Sequence, residues 1–278
     1  MELYNKVSYA ISRLITLDYS TSFSGSAKLF PAQMQPHIYA IYGLVRIADE
    51  VVDTYRGKDV IQVLNNLESE VYAALERGYS TNPVVQSFVL TAKQYGITST
   101  LIHPFFVSMT MDVRPVEYTK ESYKTYIYGS AEVVGLMCLR VFVDGDNVAY
   151  YGLKRGAQSL GSAYQKINFM RDMAADFNEL GRIYFPGVTF ETFGDKAKGK
   201  IIDDIEKDFF QAQKSIARLP RGSRWAVELS AVYYGGLLKK LKKTPASLIK
   251  QKRIRINGAG KFVLFSRAAI QRRFNHAA

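Results

Sequence analysis

Most of the chain repeats its apolar residues at intervals of three and four, with few helix-breaking residues between them. The 278 residues include only 8 prolines and 20 glycines, and long stretches contain neither. This spacing puts apolar side chains on one face of an α-helix, which turns once in about 3.6 residues. We find no useful length of the alternating apolar and polar residues that indicate a half-buried strand. The sequence therefore predicts an all-α protein.

We expect about ten helices in a single domain over residues 1–278. The predicted helices are residues 2–19, 37–55, 59–77, 84–95, 98–112, 120–143, 146–180, 195–218, 223–243 and 260–273. Two segments with proline, glycine and β-branched residues, 20–36 and 181–194, are predicted as connections. Hydrophobic residues make up 47% of the chain, which suffices for a sizeable core.

Positive charge is concentrated at the C-terminal end of the chain. The formal net charge is +12, yet no Asp or Glu follows Glu228, and the last 40 residues carry 12 Lys and Arg. Without that segment the chain balances, with 25 basic and 25 acidic residues. The basic end is either a solvated surface or the binding region of an anionic partner, such as a phosphorylated substrate or an acidic membrane. No nucleic-acid-binding motif is recognisable, so we expect no nucleic acid partner.

Cysteine and histidine usage disfavours a disulfide framework and a zinc site. Cys138 is the only cysteine, so no internal disulfide forms and the chain fits a reducing compartment. The three histidines show no metal-ligand spacing. No window of about 18 residues is apolar enough to span a bilayer, and charged residues interrupt the N-terminal apolar run. We expect a cytoplasmic protein whose basic end is able to contact the inner face of a membrane.

The first cluster of candidate functional residues lies in the predicted helix 37–55. Its polar members are Tyr42, Arg46, Asp49 and Asp53, which fall within an arc of about 60° on a helix. Asp49 and Asp53 are four residues apart, so their carboxylates are neighbours and repel each other. A cation between them reverses the sign of that interaction. Because the flanking residues are apolar, a simple solvated acidic face is the weaker interpretation.

A second polar stripe lies in the predicted helix 146–180. Its members are Gln165, Asn168, Asp172 and Asp176, spaced at three and four residues along one helical face. Each offers an oxygen ligand of the kind that hard cations such as Mg²⁺ or Mn²⁺ prefer. A polar stripe on an otherwise apolar helix needs partners if it is buried. Two such stripes in one chain predict that they face each other across a pocket.

Together the two stripes favour chemistry on a diphosphate. Mg²⁺ ions held by carboxylates bind diphosphate oxygens and neutralise a leaving pyrophosphate. Arg46 and Arg171 are candidates for charge-assisted contacts to the same group. Aromatic and aliphatic walls would accept a prenyl chain and tolerate a carbocation. No Walker-type phosphate loop is present, which disfavours nucleotide triphosphate chemistry.

At these residues the sequence resembles the squalene/phytoene synthase family, over roughly residues 8–270. The resemblance is carried by residues 19–23, Arg46 with residues 49–53, residues 126–135, residues 165–176 and residues 182–186. It implies a single all-α isoprenoid synthase domain with a central cavity. It also implies that two prenyl diphosphates are coupled through a cyclopropyl intermediate, which then rearranges to a 1-1′ linked hydrocarbon.

The resemblance also assigns roles to individual residues. The implied metal ligands are Asp49, Asp53, Asn168, Asp172 and Asp176. The residues implied at the diphosphate sites are Tyr19, Ser20, Thr21, Ser22, Tyr42, Arg46, Gln165, Arg171, Arg182 and Tyr233. Tyr126 and Tyr184 are implied to be cavity tyrosines directed at the reacting carbons. Some relatives have histidine at position 19, and the neutral phenol of Tyr19 is a weaker diphosphate contact.

Within the family, residues 129–142 and 181–187 are most similar to phytoene synthases of carotenoid-making bacteria. This implies geranylgeranyl diphosphate as substrate, phytoene as product and no requirement for NADPH. The nearest alternative is a squalene or dehydrosqualene synthase that uses farnesyl diphosphate. A more distant alternative is a non-catalytic assembly-factor relative, which would be expected to lose the acidic residues that this chain keeps.

Overall fold

The computed structural model describes residues 1–113, 118–258, 260, 263 and 264, apart from the side chains of Thr21 and Ser22. Within these residues the chain forms helices and no strand, so the prediction of an all-α fold is confirmed. The helices are α1 (Glu2–Tyr19), α2 (Thr21–Ala27), α3 (Gln35–Asp53), α4 (Val60–Arg77), α5 (Pro83–Tyr95), α6 (Ser99–Val113), α7 (Lys120–Ile127), α8 (Val133–Phe142), α9 (Asn147–Leu180), α10 (Asp195–Ile216), α11 (Arg221–Lys243) and α12 (Ala246–Ile249). A π-helical turn, Tyr128–Glu132, joins α7 to α8.

Capping residues set the ends of the helices on which the site depends. Before α5, the Asn82 side chain accepts hydrogen bonds from two backbone amides of the first turn, and Pro83 occupies the first helical position. Asp146 caps the start of α9 in the same way. The 34-residue α9 ends at Gly181, whose φ of 66° lies in the left-handed region that favours glycine. These signals keep α9 continuous through the whole second polar stripe.

Residues 20–36, predicted as a connection, contain the short helix α2. The Ser20 side chain caps it by accepting a hydrogen bond from the Phe23 amide at 3.1 Å. The predicted helix 260–273 lies almost wholly outside the described residues. In the described part of the chain, no helix is long and apolar enough to cross a membrane.

The predicted helix 120–143 is interrupted by the π-helical turn. Gly129 lies in this turn against α6, where an added Cβ would stand 2.1 Å from the Pro104 carbonyl oxygen. Only glycine allows so close an approach of two backbones. Such single π turns inside α-helices are frequent at functional sites. Ser130 and Ala131 of this turn, and Val134 just after it, line the cavity described below.

Buried apolar side chains form two clusters that meet at α9. One lies mainly between α3, α5, α6 and α8, with Phe88 and Phe105 fully buried in it. The other lies mainly between α9, α10 and α11 and includes Ile205. α9 supplies Leu153 to the first cluster and Ile167 to the second. The longest helix therefore positions both halves of the core around the candidate site.

Candidate active site

A cavity of about 900 Å³ lies beside α9 and has a polar end and an apolar end. The polar end is lined by Tyr42, Arg46, Asp49, Gln165, Asn168, Arg171, Arg253 and Arg255. The apolar end is lined by Phe30, Ile38, Val134, Cys138, Leu139, Phe142, Leu153, Leu160, Ile216 and Leu219. Its volume lies near the top of the range for small-molecule sites. The division suits a ligand with a charged head and a long apolar chain.

The first acidic stripe lies on α3 at the polar end. Asp49 lines the cavity, and its side chain keeps 32% of its surface open to that space. Burial and the neighbouring Asp53 carboxylate raise the pKa of Asp49 to about 8. The Arg46 guanidinium lies 3.9 Å from Asp49 and forms an ion pair with Glu50. The stripe therefore carries more negative charge than its arginine neutralises, which favours a bound cation.

The second stripe lies on α9 close to the first. Asp172 is held by two arginines, at 2.5 Å from Arg171 Nη2 and 2.7 Å from Arg253 Nε. Burial, with repulsion from Asp172 and then from Asp53, raises the pKa of Asp176 to about 7. Because Asp53 belongs to α3, this repulsion means that the charges of the two stripes interact.

Arg182 links the acidic residues, and one of its partners was not a candidate from the sequence. Its Nη1 donates to Asp53 Oδ1 at 2.9 Å and lies 3.5 Å from Asp112 Oδ1. Its Nη2 donates to the Asp112 carbonyl oxygen at 2.7 Å. The Asp112 side chain is only 4% exposed, and burial raises its pKa to about 7 despite the nearby guanidinium. The Arg182 guanidinium is therefore paired with the carboxylates of Asp53 and Asp112.

The two tyrosines with an implied catalytic role lie in an aromatic cluster. Tyr184 stacks on Phe169 with ring centroids 4.0 Å apart, and Tyr126 lies 5.3 Å from Tyr184. The Tyr126 hydroxyl donates to Asp112 Oδ2 at 2.8 Å. Burial, followed by the Asp112 charge, raises the pKa of both tyrosines, so both are neutral at pH 7. Neither Tyr126 nor Tyr184 is among the described residues that line the cavity.

The predicted N-terminal substrate segment reaches the rim of the cavity. Tyr19 and Ser20 line it, and the Tyr19 ring lies 4.4 Å from the Arg46 guanidinium carbon. That ring therefore contributes a cation–π contact as well as a phenol. The predicted contacts of the Thr21 and Ser22 side chains lie outside the described residues.

Polar side chains from three elements meet at the middle of α9. Gln165 donates to the Ser130 hydroxyl of the π-helical turn at 3.3 Å. Tyr233 and Tyr234 of α11 both line the cavity, and the Tyr234 hydroxyl donates to Asn168 Oδ1 at 3.4 Å. Tyr233 thus lines the cavity, its contact with a diphosphate stays a prediction, and Tyr234 makes the contact with the second stripe.

Several guanidinium groups at the polar end of the cavity are placed where an anion could bind. Arg46 Nε is buried and has no hydrogen-bond partner within the described part of the chain. The segment that carries Arg253 is held against α9, because the Ile254 amide donates to the Arg171 carbonyl at 3.2 Å. Arg255 lines the same end. Arginines beside carboxylates suit a diphosphate that arrives together with cations.

The donor set fits Mg²⁺ in the way that this ion binds phosphate ligands. Within the described residues, no group of three or more Asp, Glu, His or Cys side chains is placed to hold a metal ion alone. Mg²⁺ usually takes one or two carboxylates and completes its shell with water and substrate phosphates. Asp49 with Asp53, and Asp172 with Asp176, provide such pairs, and a cation would relieve the repulsion within each pair.

The metal-free protein is expected to lose stability as the pH rises from about 5 to about 8. Asp49 and Asp176 have pKa values of about 8 and about 7, so in this window the folded state holds protons that the unfolded state has released. Stability falls with pH wherever the folded state binds more protons. Thermal melting in EDTA should show Tm falling by several degrees, and Mg²⁺ should raise Tm more at pH 8 than at pH 6. Asp49→Asn should flatten the decrease; an unchanged decrease would assign it to other groups.

The all-α fold matches the folds of solved squalene and dehydrosqualene synthases. A dehydrosqualene synthase solved with a ligand superposes with a TM-score of 0.83 at 20% identity, covering 97% of this chain and 98% of that one. A squalene synthase from Alicyclobacillus acidocaldarius superposes with a TM-score of 0.76 at 21% identity, covering 87% of this chain and 95% of that one. At these identities the likeness shows the fold.

The chain belongs to the squalene/phytoene synthase family, whose model matches residues 17–259. It is 25% identical over 267 residues to the 4,4'-diapophytoene synthase of Staphylococcus haemolyticus, covering 86% of this chain and 89% of that protein. It is 28% identical over 255 residues to the 15-cis-phytoene synthase of Synechocystis sp., covering 83% of this chain and 75% of that protein. Members of this family are prenyltransferases that act on prenyl diphosphates. The resemblance predicted from the motifs is confirmed.

Proposed function

We propose that the protein is a phytoene synthase of carotenoid biosynthesis, which condenses two geranylgeranyl diphosphates head to head through a cyclopropyl diphosphate. The observation that carries the proposal is a cavity with a polar end and an apolar end, where Asp49 lines the polar end and Asp172 pairs with two of the arginines that line it. Such a cavity matches a diphosphate head joined to a long prenyl chain. Relatives that are phytoene synthases, at 26% and 28% identity, support this product.

The residues of the site have two roles in this proposal: some bind charged groups and others exclude water. Mg²⁺, or Mn²⁺ in its place, would be held by Asp49 and Asp53 from α3 and by Asn168, Asp172 and Asp176 from α9. When bound, it would neutralise the charge of the departing pyrophosphate. Arg171 and Arg253 now bind Asp172, and they would turn to the diphosphate once cations occupy that carboxylate. The apolar walls would keep water from a prenyl carbocation.

Farnesyl diphosphate remains the alternative substrate, because relatives of both kinds match the chain. The relative from Staphylococcus haemolyticus is a diapophytoene synthase, and the fold superposes on a dehydrosqualene synthase. A non-catalytic assembly-factor relative is disfavoured, since the chain keeps both sets of acidic residues.

Incubation with Mg²⁺ and either the C15 or the C20 diphosphate is expected to give a hydrocarbon only, or mainly, from C20. A phytoene synthase involves no net reduction, so turnover should proceed without NADPH. Mass spectrometry and the ultraviolet spectrum of the extracted product identify it as phytoene. A strict NADPH requirement with a C30 product would instead assign the chain as a squalene synthase. A C30 product without NADPH would assign it as a dehydrosqualene synthase.

The basic residues near the C-terminal end are expected to have two functions, and different substitutions should affect each function separately. Arg253 touches Asp172 at the cavity, so Arg253→Gln should raise the Michaelis constant for the diphosphate even in detergent. The exposed Lys239 and Lys243 lie near the end of α11. We propose that they dock on anionic lipid, where each basic residue contributes about 1 kcal/mol and salt screens the attraction.

The double variant Lys239→Gln/Lys243→Gln is the matched control for Arg253→Gln. It should lose binding to vesicles that contain phosphatidylglycerol while keeping full activity in detergent. If the wild-type protein shows no preference for anionic over neutral vesicles at low salt, the docking proposal is wrong. If Arg253→Gln leaves the Michaelis constant unchanged, the contact with substrate is wrong.

A further inference from the structure

Helix α1 buries small polar side chains against the protein and exposes several large apolar side chains, while Ile11, Ile15 and Leu17 are half-buried. Ser8 and Ser12 are fully buried, whereas Leu3, Val7 and Leu14 are 76%, 43% and 58% exposed. A surface helix ordinarily turns its apolar stripe to the core. The apolar periodicity that predicts α1 from the sequence is therefore found on its outer face.

The inner face of α1 is fitted to its neighbours, so the helix has no freedom to turn its apolar side inward. Ser12 Oγ lies 2.8 Å from Ser87 Oγ of α5. On the α3 side, a Cβ added to Gly43 would stand 2.9 Å from Ser12 Oγ. The Thr16 hydroxyl donates to the Ser12 carbonyl at 2.8 Å. Small hydroxyl side chains thus let three helices approach closely with their polar atoms satisfied.

The outer apolar residues follow the spacing of a coiled-coil seam. Leu3, Val7, Ala10, Leu14 and Leu17 recur at intervals of four, three, four and three residues. This is the heptad repeat, with Val7 and Leu14 at a positions and the other three at d positions. α1 has 18 residues, and the seam from Leu3 to Leu17 runs about 21 Å along it. Residues 1–16 precede the segment that the family model matches.

We propose that this seam binds the same seam of a second copy of the chain, with the two α1 helices parallel. Charge selects the orientation, because heptad g and e positions face each other across a parallel pair. Arg13 at g then meets Asp18 at e of the second copy. An antiparallel pair would instead bring Lys6 beside Arg13 of the second copy.

A second copy fits this face better than an anionic bilayer does. Lys6 and Arg13 border the seam, but so does Asp18, and Glu2 lies near its start; carboxylates disfavour contact with acidic lipid. Two helices of this length bury on the order of 1,000 Å² in total, at the low end for specific interfaces. An interface of this size is typical of weak, transient association. The inference is independent of the substrate and of the proposed reaction.

Sedimentation velocity from low to high micromolar concentration tests the seam. The wild-type chain should shift from monomer to dimer, and Leu14→Glu should remain monomeric at every concentration. Val148→Glu is the matched control, since Val148 is 84% exposed on α9 and should leave the shift unchanged. Both positions are exposed, so circular dichroism should show intact helices. A wild-type monomer throughout, or a Leu14→Glu dimer, would overturn the proposal.

Disulfide trapping tests the parallel arrangement. Cys138 is the only native cysteine and lies half-buried in the apolar lining of the cavity, and the Val148→Cys control reports any cross-link that involves it. In a parallel seam each a position faces its own counterpart, so Leu14→Cys should form a covalent dimer under mild oxidation and Val148→Cys should not. Failure of Leu14→Cys to cross-link would overturn the parallel seam. Vesicle binding that Leu14→Glu abolishes, in a wild-type protein that stays monomeric, would reassign the face to lipid.

Discussion

Asp49→Ala and Asp172→Ala are each expected to lower turnover by about a thousandfold or more while the helical fold is kept. A cation that neutralises leaving-group charge contributes several kcal/mol, and about 1.4 kcal/mol corresponds to a tenfold change in rate. Removing Asp49 relieves repulsion with Asp53, so Tm should hold or rise. Removing Asp172 frees two arginines of their partner, so Tm should fall modestly.

Pyrophosphate release and thermal melting measure the two effects separately. Asp203→Ala is the matched control, because in the described part of the chain this exposed acid on α10 neither lines the cavity nor forms an ion pair with a residue that does; its turnover should equal that of the wild type. Near-wild-type activity in either Asp49→Ala or Asp172→Ala would contradict the role given to the stripes. So would wild-type activity that survives EDTA.

Arg182→Leu is expected to destabilise the fold by roughly 3 to 5 kcal/mol, because it leaves a buried acid without its partner. The Arg182 side chain is 12% exposed and pairs with Asp53 and Asp112. For a chain of this size about 1 kcal/mol shifts Tm by roughly 2–4 °C, so Tm should fall by about 10 °C. Without Arg182 the pKa of Asp112 should rise further, and protonation then relieves the unpaired charge. The loss should therefore be larger at pH 8 than at pH 5.

A double-variant cycle separates the charge effect from simple loss of packing. Asp112→Asn in the Arg182→Leu background should recover part of the lost Tm, because the unpaired charge is gone. Arg218→Leu, at an exposed position just after α10, should leave Tm nearly unchanged. An Arg182→Leu protein as stable as the wild type would show that the buried acid does not depend on this guanidinium.

Local patterns in the sequence were enough to predict the helices and both acidic stripes. Each stripe lies on one helix, so the spacing between Asp49 and Asp53, or between Asp172 and Asp176, fixes a shared face without any tertiary information. The end of α9 was also predictable within a residue or two, because Gly181 supplies the left-handed cap. The motifs that identify the family are those same short-range patterns.

Features that depend on contacts between distant segments could not be predicted in this way. Asp112 is a lone acid on α6, and its role appears only when Arg182 and Tyr126 reach it across the fold. The π-helical turn lies where α6 approaches Gly129 closely, and no local spacing signals that contact. The outward apolar face of α1 has the same periodicity as an inward one. The spacing of apolar residues shows that they share one face of a helix. It does not show whether that face packs against the core or meets solvent.

The most direct measurement of the central claim is the ratio of pyrophosphate released to joined hydrocarbon formed, with purified protein, Mg²⁺ and the C20 diphosphate. Head-to-head coupling of two substrates followed by ionisation of the cyclopropyl diphosphate should release two pyrophosphates for each 40-carbon product, and EDTA should stop both. Pyrophosphate released without any joined product, or a joined product formed in EDTA, would contradict it.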